Sequence, residues 1–147
     1  MTDSIDVEIL LVEDNPRDAE MTLRALRAGN LANKVVHVKD GQEALDWLFC
    51  KGAFAARVNT VRPKVVLLDL KLPKVDGLEV LRVIRGDERM RGLPVVVMTS
   101  SNEQRDLIES YDLGANSYLV KPVDYESFSA AVLRFGYYWL LVNEVPK

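Results

Sequence analysis

The sequence predicts an α/β fold, a doubly wound sheet of five parallel strands with five helices. Two observations lead to this prediction. Short aliphatic runs recur along the chain without polar interruption, which is typical of strands that are buried on both faces. Between them lie segments with apolar residues at helical spacing, and strict alternation of the two patterns favours right-handed β-α units with helices on both faces of the sheet.

The predicted elements form five β-α pairs with the strand order 2-1-3-4-5. Strands are expected at residues 8–12, 35–38, 65–68, 94–98 and 118–120, and helices at 18–28, 42–51, 78–85, 103–113 and 125–142. Gly29 and Gly114 follow helices, so we expect each to end its helix in the left-handed conformation. The connection from Gly52 to Lys64 is long for an α/β domain. We expect a surface loop there, with room for half a turn of helix.

Composition limits the classes of function. The 147 residues suit one domain, expected to span residues 1–147 with its core at about 7–142. The net charge is −3, and the absence of a basic surplus argues against a free-standing nucleic-acid binder. The start of the chain lacks the pattern of a signal peptide, and the longest apolar run, Phe135 to Val142, is too short to span a membrane. With one cysteine, Cys50, there is no internal disulfide, and we expect a cytoplasmic protein.

Polar residues that can bind ligands or take part in a reaction lie where the predicted strands end. They are Glu13 and Asp14 after the first strand, Asp69 after the third, Thr99 and Ser100 at the fourth, and Lys121 at the fifth. Ligands of open α/β sheets bind at this edge. Any single acid here would be explained as a helix cap or a solvated turn. Several carboxylates together repel one another unless a cation or an ammonium offsets them, so their grouping predicts a functional site.

The residue types at this edge suit phosphoryl chemistry. Three carboxylates form an oxygen-only site of the kind that Mg²⁺ prefers. A carboxylate can attack phosphorus to give an acyl phosphate, and the metal and the Lys121 ammonium would neutralise the charge that this attack brings together. Thr99 can donate its hydroxyl to a phosphoryl oxygen.

Four segments in this order resemble the CheY-like receiver domains of two-component signalling. They are residues 9–15 (ILLVEDN), 66–77 (VLLDLKLPKVDG), 94–100 (PVVVMTS) and 114–122 (GANSYLVKP). The resemblance extends from about Val7 to Val142, which is nearly the whole chain. It implies a response regulator that accepts a phosphoryl group from a histidine kinase and acts by changing its protein–protein contacts.

The resemblance also implies roles for single residues. Asp69 matches the phosphorylated aspartate, Asp14 the direct metal ligand, Glu13 the acid that acts mainly through water, and the Lys71 backbone carbonyl a further metal ligand; Thr99 with Ser100 matches the switch hydroxyl, Lys121 the phosphate-pairing lysine, Tyr118 the switch aromatic, and Lys121-Pro122 a cis peptide bond. The family varies the side chain at the position of Lys71. We therefore hypothesise that Lys71 alters the lifetime of the acyl phosphate, the alternative being a solvated lysine.

A looser resemblance points to the phytochrome-associated regulators of bacteria. It rests on the opening residues 13–18 (EDNPRD), on the long loop from Gly52 to Lys64, and on the aromatic last helix. A bacterial phytochrome would then be the kinase, although an ordinary histidine kinase remains an alternative.

The last predicted helix is apolar nearly all round. Between Ala130 and Val142 only Arg134 is charged. Exposed apolar surface usually marks an interface, so we expect a homodimer through this helix, with the fourth helix and the fifth strand contributing. The expected contact residues are Phe135, Tyr137, Tyr138, Leu140 and Leu141. Alternatively, these side chains cover the edge of the sheet and the end of the chain.

Two other functions fit the same fold class. An aspartate-nucleophile phosphatase of the haloacid-dehalogenase type needs a second acid two residues after the nucleophile, where this chain has Lys71. A flavin or nucleotide carrier needs a glycine-rich loop after the first strand, where this chain has Glu13 and Asp14. We therefore expect a signalling protein, whose only catalysis is its own phosphorylation and dephosphorylation.

Overall fold

The computed structural model describes residues 8–30, 35–57, 62–100, 103–121 and 124–137, with the side chains of the last helix described as far as Arg134. Five strands and five helices alternate within these residues. The strands are β1 (Ile9–Val12), β2 (Val35–Val38), β3 (Val65–Leu68), β4 (Val95–Thr99) and β5 (Ser117–Val120). The helices are α1 (Pro16–Ala28), α2 (Gly41–Phe49), α3 (Gly77–Gly86), α4 (Gln104–Asp112) and α5 (Tyr125–Tyr137).

The strands form one parallel sheet in the order β2-β1-β3-β4-β5, which confirms the predicted fold. Every residue of β1, β3 and β4 is buried, as their uninterrupted aliphatic composition predicts, whereas the edge strands β2 and β5 are partly exposed. On one face of the sheet, α1 and α5 cover a core cluster that includes Leu26, Phe128 and Val132. On the other face, α2 and α3 cover a cluster that includes Trp47 and Leu81.

Side-chain caps start three of the helices at the edge where β1, β2 and β3 end. Asn15 accepts from the Asp18 N–H at 3.0 Å, and the carboxylates of Asp40 and Asp76 accept from backbone N–H groups three residues further on, at 2.7 and 3.0 Å. These bonds satisfy otherwise orphaned donors of each first turn and fix where each helix leaves the sheet. The caps therefore hold the loops that carry the polar residues of this edge.

Gly77 allows α3 to begin directly against the end of β3. A Cβ atom at Gly77 would overlap the carbonyl oxygen of Asp69 and would lie 2.6 Å from the Leu70 Cα atom. The Gly77 N–H donates to the Leu70 carbonyl at 2.8 Å. The position of Asp69 thus depends on the absence of a side chain at Gly77.

Some boundaries differ from the prediction. Gly29 is not left-handed, since its φ is −95°; the reversal falls one residue later, on Asn30, where φ is 64°. Gly29 still caps the last turn of α1, because its N–H donates to the Ala25 carbonyl, and the left-handed conformation falls on asparagine, which tolerates it. Gly114 is left-handed as predicted, with φ 99°. Helix α2 ends early because Cys50 adopts φ 56°, and the expected short helical turn follows at Gly52–Phe54.

Several predictions fall outside the described residues. They concern the Lys121–Pro122 bond, Tyr138, Leu140 and Leu141, and the side chains of Phe135 and Tyr137. In the part of α5 whose side chains are described, Phe128 and Val132 are buried. No helix in the described part of the chain is long and apolar enough to cross a membrane.

Candidate functional site

The acids that follow β1 and β3 lie side by side. Backbone hydrogen bonds continue the sheet past the strand ends, since the Asp69 N–H donates to the Val12 carbonyl and the Glu13 N–H donates to the Val38 carbonyl, each at 3.1 Å. His37 on β2 adds a further bond, with Nε2 lying 2.8 Å from the Glu13 carbonyl oxygen. Because that oxygen can only accept, Nε2 carries the proton.

Glu13, Asp14 and Asp69 form a group that could hold a metal ion. Each offers one carboxylate oxygen, and these oxygens lie within 4.8 Å of one another. Glu13 and Asp69 are buried, whereas Asp14 is exposed, so an ion would reach the site from the side of Asp14. Oxygen-only donors with one solvent-facing side suit a hard divalent cation that keeps some of its water, as Mg²⁺ and Mn²⁺ do.

Lys71 lies in the loop after β3, beside this group. Its N–H is 3.4 Å from Asp69 Oδ1. Its side chain is exposed, and the residue lines, with Asp14 and Asp76, an open cavity of about 370 Å³. The backbone of Lys71 thus contacts Asp69, while its exposed side chain lines the same cavity as Asp14.

Lys121 occupies the side of the cluster formed with α1 and β5. Its Nζ lies 2.5 Å from Glu13 Oε1, 2.9 Å from Asp18 Oδ2 and 3.1 Å from Asp69 Oδ2. The lysine side chain is 6% exposed. The predicted meeting of Glu13, Asp69 and Lys121 is therefore found, and the ammonium offsets carboxylates that would otherwise repel one another.

Burial and charge compete at this cluster. Burial raises the pKa of Glu13 to about 7; its hydrogen bond with Lys121 opposes this rise, and the neighbouring charge of Asp69 adds to it. Burial alone would lower the pKa of Lys121, but the contacts with Glu13, Asp69 and Asp18 outweigh it and raise that pKa above its usual value. The site thus holds an ammonium beside a carboxyl group whose pKa burial raises.

The residues expected to act as a switch lie on β4 and β5. Thr99 is fully buried at the end of β4, and its carbonyl accepts from the Lys121 N–H at 2.7 Å. Ser100 is exposed directly after the strand. Tyr118 is half-buried on β5, paired with Val97 and packed against the core cluster under α2 and α3. Tyr118 therefore lies two residues further from the acidic edge than Thr99.

Asp18 belongs to the cluster, and sequence reasoning missed it. We interpreted this residue as the start of a helix, where acids are common because they favour the helix dipole. The available signal was its place in the first turn after the Asn15-Pro16 start, five residues beyond Glu13. This signal does not tell whether the carboxylate points back to the cap or across to the sheet.

Comparison with known proteins leads to the same family that the sequence motifs resemble. The sequence model of the response regulator receiver domain matches residues 9–133. Among relatives, the probable methanogenesis regulatory protein FilR2 of Methanothrix harundinacea is 41% identical over 138 residues, which cover 94% of this chain and 86% of the relative. The response regulator Rcp1 of Synechocystis is 35% identical over 138 residues, with coverage of 94% and 92%.

Solved structures agree with these relatives. The phosphorylated cyanobacterial phytochrome response regulator RcpA superposes with a TM-score of 0.87 at 38% identity, over 95% of this chain and 98% of that one. The Mn²⁺-bound form of Rcp1 gives 0.85 at 34% identity, over 95% and 98%. The bacteriophytochrome response regulator AtBRR gives 0.74 at 54% identity, over 93% and 97%.

These similarities decide between the functions that the fold class allows. The similar proteins are response regulators, among them a phytochrome response regulator, and the phosphatase alternative is not supported. Receiver domains bind a divalent metal, for which the group of Glu13, Asp14 and Asp69 is the candidate site here. The chain belongs to the response regulator receiver domain family and is homologous to the phytochrome-associated regulators.

Proposed function

We propose that this receiver takes a phosphoryl group from a histidine kinase onto the carboxylate of Asp69. The observation that carries the proposal is that this side chain lies between two other acids and an ammonium. Two further acids each have a carboxylate oxygen within 4.8 Å of an Asp69 oxygen, and an ammonium lies 3.1 Å from its Oδ2 atom. Asp69 can thus be approached by an anionic phosphoryl group only because positive charge is held beside it.

We propose Mg²⁺ as the metal, held by Glu13, Asp14, Asp69 and the backbone carbonyl of Lys71. The oxygen donors and the exposed position of Asp14 support a small cation that keeps water ligands. The Mn²⁺-bound structure of the relative Rcp1 supports a divalent ion in general. When bound, the ion supplies positive charge that offsets the phosphoryl oxygens.

The transfer step exchanges one bond to phosphorus for another. An oxygen of the Asp69 carboxylate forms a bond to phosphorus while the P–N bond of the donor phosphohistidine breaks. The leaving imidazole nitrogen takes a proton from solvent, and the product is an aspartyl phosphate. Lys121 then donates to a phosphoryl oxygen instead of to Asp69 Oδ2, from which it lies 3.1 Å.

The switch we propose uses Thr99, Ser100 and Tyr118. Phosphorylation adds strong acceptors next to Thr99, whose hydroxyl turns toward a phosphoryl oxygen. Thr99 is buried at the strand end and its carbonyl is bonded to the Lys121 N–H, so a shift there would reach both β4 and β5. The resulting movement of half-buried Tyr118 would change the surface that partners recognise.

The side chain of Lys71 is the proposed determinant of acyl-phosphate lifetime, because the Lys71 backbone lies against Asp69 and its exposed side chain lines the same cavity as Asp14. Lys71→Gln should change the rate of dephosphorylation, measured by loss of the added mass with time. Lys74→Gln is the control, because Lys74 is an exposed lysine of the same loop that pairs with Asp40 at 3.6 Å. Equal lifetimes of the Lys71 variant and the wild type would contradict this role.

The proposed partners are a histidine kinase of the bacterial phytochrome type and a second copy of this chain. The phytochrome-associated relatives support the first. We propose a cytoplasmic location, because such a kinase needs ATP. Exposed apolar side chains on α4 and β5 support the second: Ile108 is 52% exposed, Tyr111 48% and Val120 41%. A monomeric mass by light scattering at micromolar concentration, with and without phosphorylation, would contradict the dimer.

Intact mass spectrometry tests the phosphorylation. After incubation with Mg²⁺ and acetyl phosphate, the wild type should gain one phosphoryl group. Asp69→Asn should gain none, because its amide is not a nucleophile. Glu88→Gln, a control at an exposed acid after α3, should behave as the wild type. No gain by the wild type would show that the proposed function is wrong.

A further inference from the structure

We propose that Asp18 competes with the phosphoryl group for the ammonium of Lys121 and so weakens the hold of the site on that group. This inference rests on the proposed function. It assigns to Asp18 an effect that is exerted through Lys121, without contact between Asp18 and the phosphorus atom.

The contacts of Lys121 leave its ammonium without a spare donor. An ammonium has three N–H groups, and here three carboxylates, those of Glu13, Asp18 and Asp69, lie within 3.1 Å of Nζ. The lysine side chain is 6% exposed, so it has little freedom to turn to water instead. A phosphoryl oxygen can therefore be bound by Lys121 only if one of these three carboxylates gives way.

Helix capping does not explain where the Asp18 carboxylate lies. An acid at the third position of a helix commonly accepts from the N–H of the capping residue, which here is Asn15. That N–H lies 3.2 Å from Glu13 Oε2 instead, so Glu13 already serves it. The part of Asp18 that takes part in the cap is its own N–H, which donates to Asn15 Oδ1. Its carboxylate lies against Lys121.

Asp18 differs from the other two partners of Lys121 in what phosphorylation does to it. Glu13 belongs to the proposed metal site, and an oxygen of Asp69 becomes bonded to phosphorus. Asp18 has neither task, so after the transfer it keeps its negative charge and can still accept the hydrogen bond from Lys121. Since the carboxylates of Asp18 and Asp69 both lie about 3 Å from Nζ, they are within about 6 Å of each other.

Charge repulsion sets the expected size of the effect. Two like charges about 6 Å apart near a protein surface, after allowance for solvent at the 26% exposed Asp18 side chain, can change an equilibrium about tenfold. Removing the Asp18 charge should therefore tighten the binding of a phosphoryl mimic about tenfold. Damage to the structure would have the opposite sign, because it would weaken binding.

The test measures the affinity for beryllium trifluoride, a phosphoryl mimic, by calorimetry at saturating Mg²⁺. Asp18→Asn should bind it about tenfold more tightly than the wild type, and Asp18→Glu, which keeps the charge, should stay within about twofold of the wild type. Glu20→Gln is the matched control: it removes the same charge from the same helix, but Glu20 is exposed and pairs with Arg27 at 3.1 Å. It should also stay within about twofold. Mg²⁺ affinity, measured separately, should not rise in any variant.

Three results would overturn the inference. Asp18→Asn could bind the mimic no more tightly than Glu20→Gln, which would mean that Asp18 does not compete for Lys121. It could also bind the mimic more weakly than the wild type, which would mean that Asp18 positions Lys121. Asp18→Glu could behave as Asp18→Asn, and then charge would not be the cause. If Asp18→Asn does not fold, Asp18→Ser carries the same prediction. A wild type that binds the mimic but is matched by Asp18→Asn refutes this inference alone, whereas a wild type that neither binds it nor gains a phosphoryl group refutes the proposed function as well.

Discussion

Replacing Lys121 by methionine should expose how strongly the acidic cluster depends on one ammonium. The substitution keeps most of the side-chain volume and removes the charge that three carboxylates share at 2.5, 2.9 and 3.1 Å. Because the lysine side chain is 6% exposed and Glu13 is 1% exposed, water cannot fully replace the hydrogen bonds of the ammonium. Removing one partner of a buried ion pair costs about 3–5 kcal/mol, which is the loss in unfolding free energy that we expect at pH 8 without metal.

This loss should shrink at low pH and on addition of Mg²⁺. The pKa of Glu13 is already raised to about 7 by burial, and without the ammonium it should rise further. A carboxyl group with a raised folded-state pKa contributes stability that is present below its unfolded pKa and lost as pH rises through the folded value. The variant should therefore approach the wild type near pH 5. Without the ammonium, Glu13 and Asp69 attract a dication more strongly, so at the same Mg²⁺ concentration the ion should stabilise the variant more than the wild type. For scale, an ion at about 100 times its Kd adds about 2.7 kcal/mol.

Urea unfolding followed by circular dichroism measures these differences at pH 5 and pH 8, with and without Mg²⁺. Lys64→Met is the control, because Lys64 is 51% exposed and pairs with Glu8 at 3.6 Å, so its loss should cost at most about 1 kcal/mol. An Lys121→Met variant whose loss is the same at both pH values and is unaffected by Mg²⁺ would refute the reasoning.

Three further predictions concern the metal site, the approach of α3 and the loops at the opposite edge of the sheet. Mg²⁺ affinity by calorimetry should rise between about pH 5.5 and 7, because the ion must displace a proton from Glu13, whose pKa is raised to about 7; a Glu13→Gln variant with the same pH dependence would contradict this. Gly77→Ala should lose roughly 1–3 kcal/mol in urea unfolding and take up phosphoryl groups more slowly, because its Cβ would overlap the Asp69 carbonyl oxygen. Gly86→Ala, in the same helix with open space around it, should do neither, and equal behaviour of the two variants would count against the argument. Arg85→Met should lose about 2–3 kcal/mol in the same assay, because the guanidinium donates to four oxygens of the loops beside α3 and β5; a change under about 0.5 kcal/mol would show that these bonds contribute little.

Most of the fold could be predicted from local sequence patterns. The aliphatic runs predicted the buried strands because a strand covered on both faces must be apolar throughout. Boundaries differed from the prediction where neighbouring residues compete for the same conformation, as Gly29 and Asn30 do at the end of α1. The hydrogen bonds of Arg85 to the Leu93 and Gly114 carbonyls were not predictable, because no sequence pattern indicates which carbonyl groups accept from a guanidinium.

The candidate site was predictable to the extent that strand ends bring residues together. Glu13, Asp69 and Lys121 follow three strands of one parallel sheet, so their meeting follows from topology. Asp18 lies on a helix, where the direction of a side chain depends on which neighbour satisfies the cap. Because Glu13 serves the Asn15 N–H, the Asp18 carboxylate lies against Lys121, and this depends on a bond that only the structure reveals.

The most direct measurement of the central claim locates the covalent bond itself. Treatment of the phosphorylated protein with borohydride reduces an aspartyl phosphate to homoserine, and peptide sequencing by mass spectrometry then reads the modified position. We predict homoserine in place of Asp69 after incubation with acetyl phosphate and Mg²⁺, with the Asp14 and Asp18 positions unchanged. Homoserine at another acid, or none in a protein that has gained the mass of a phosphoryl group, would contradict the assignment of Asp69 as the phosphoryl acceptor.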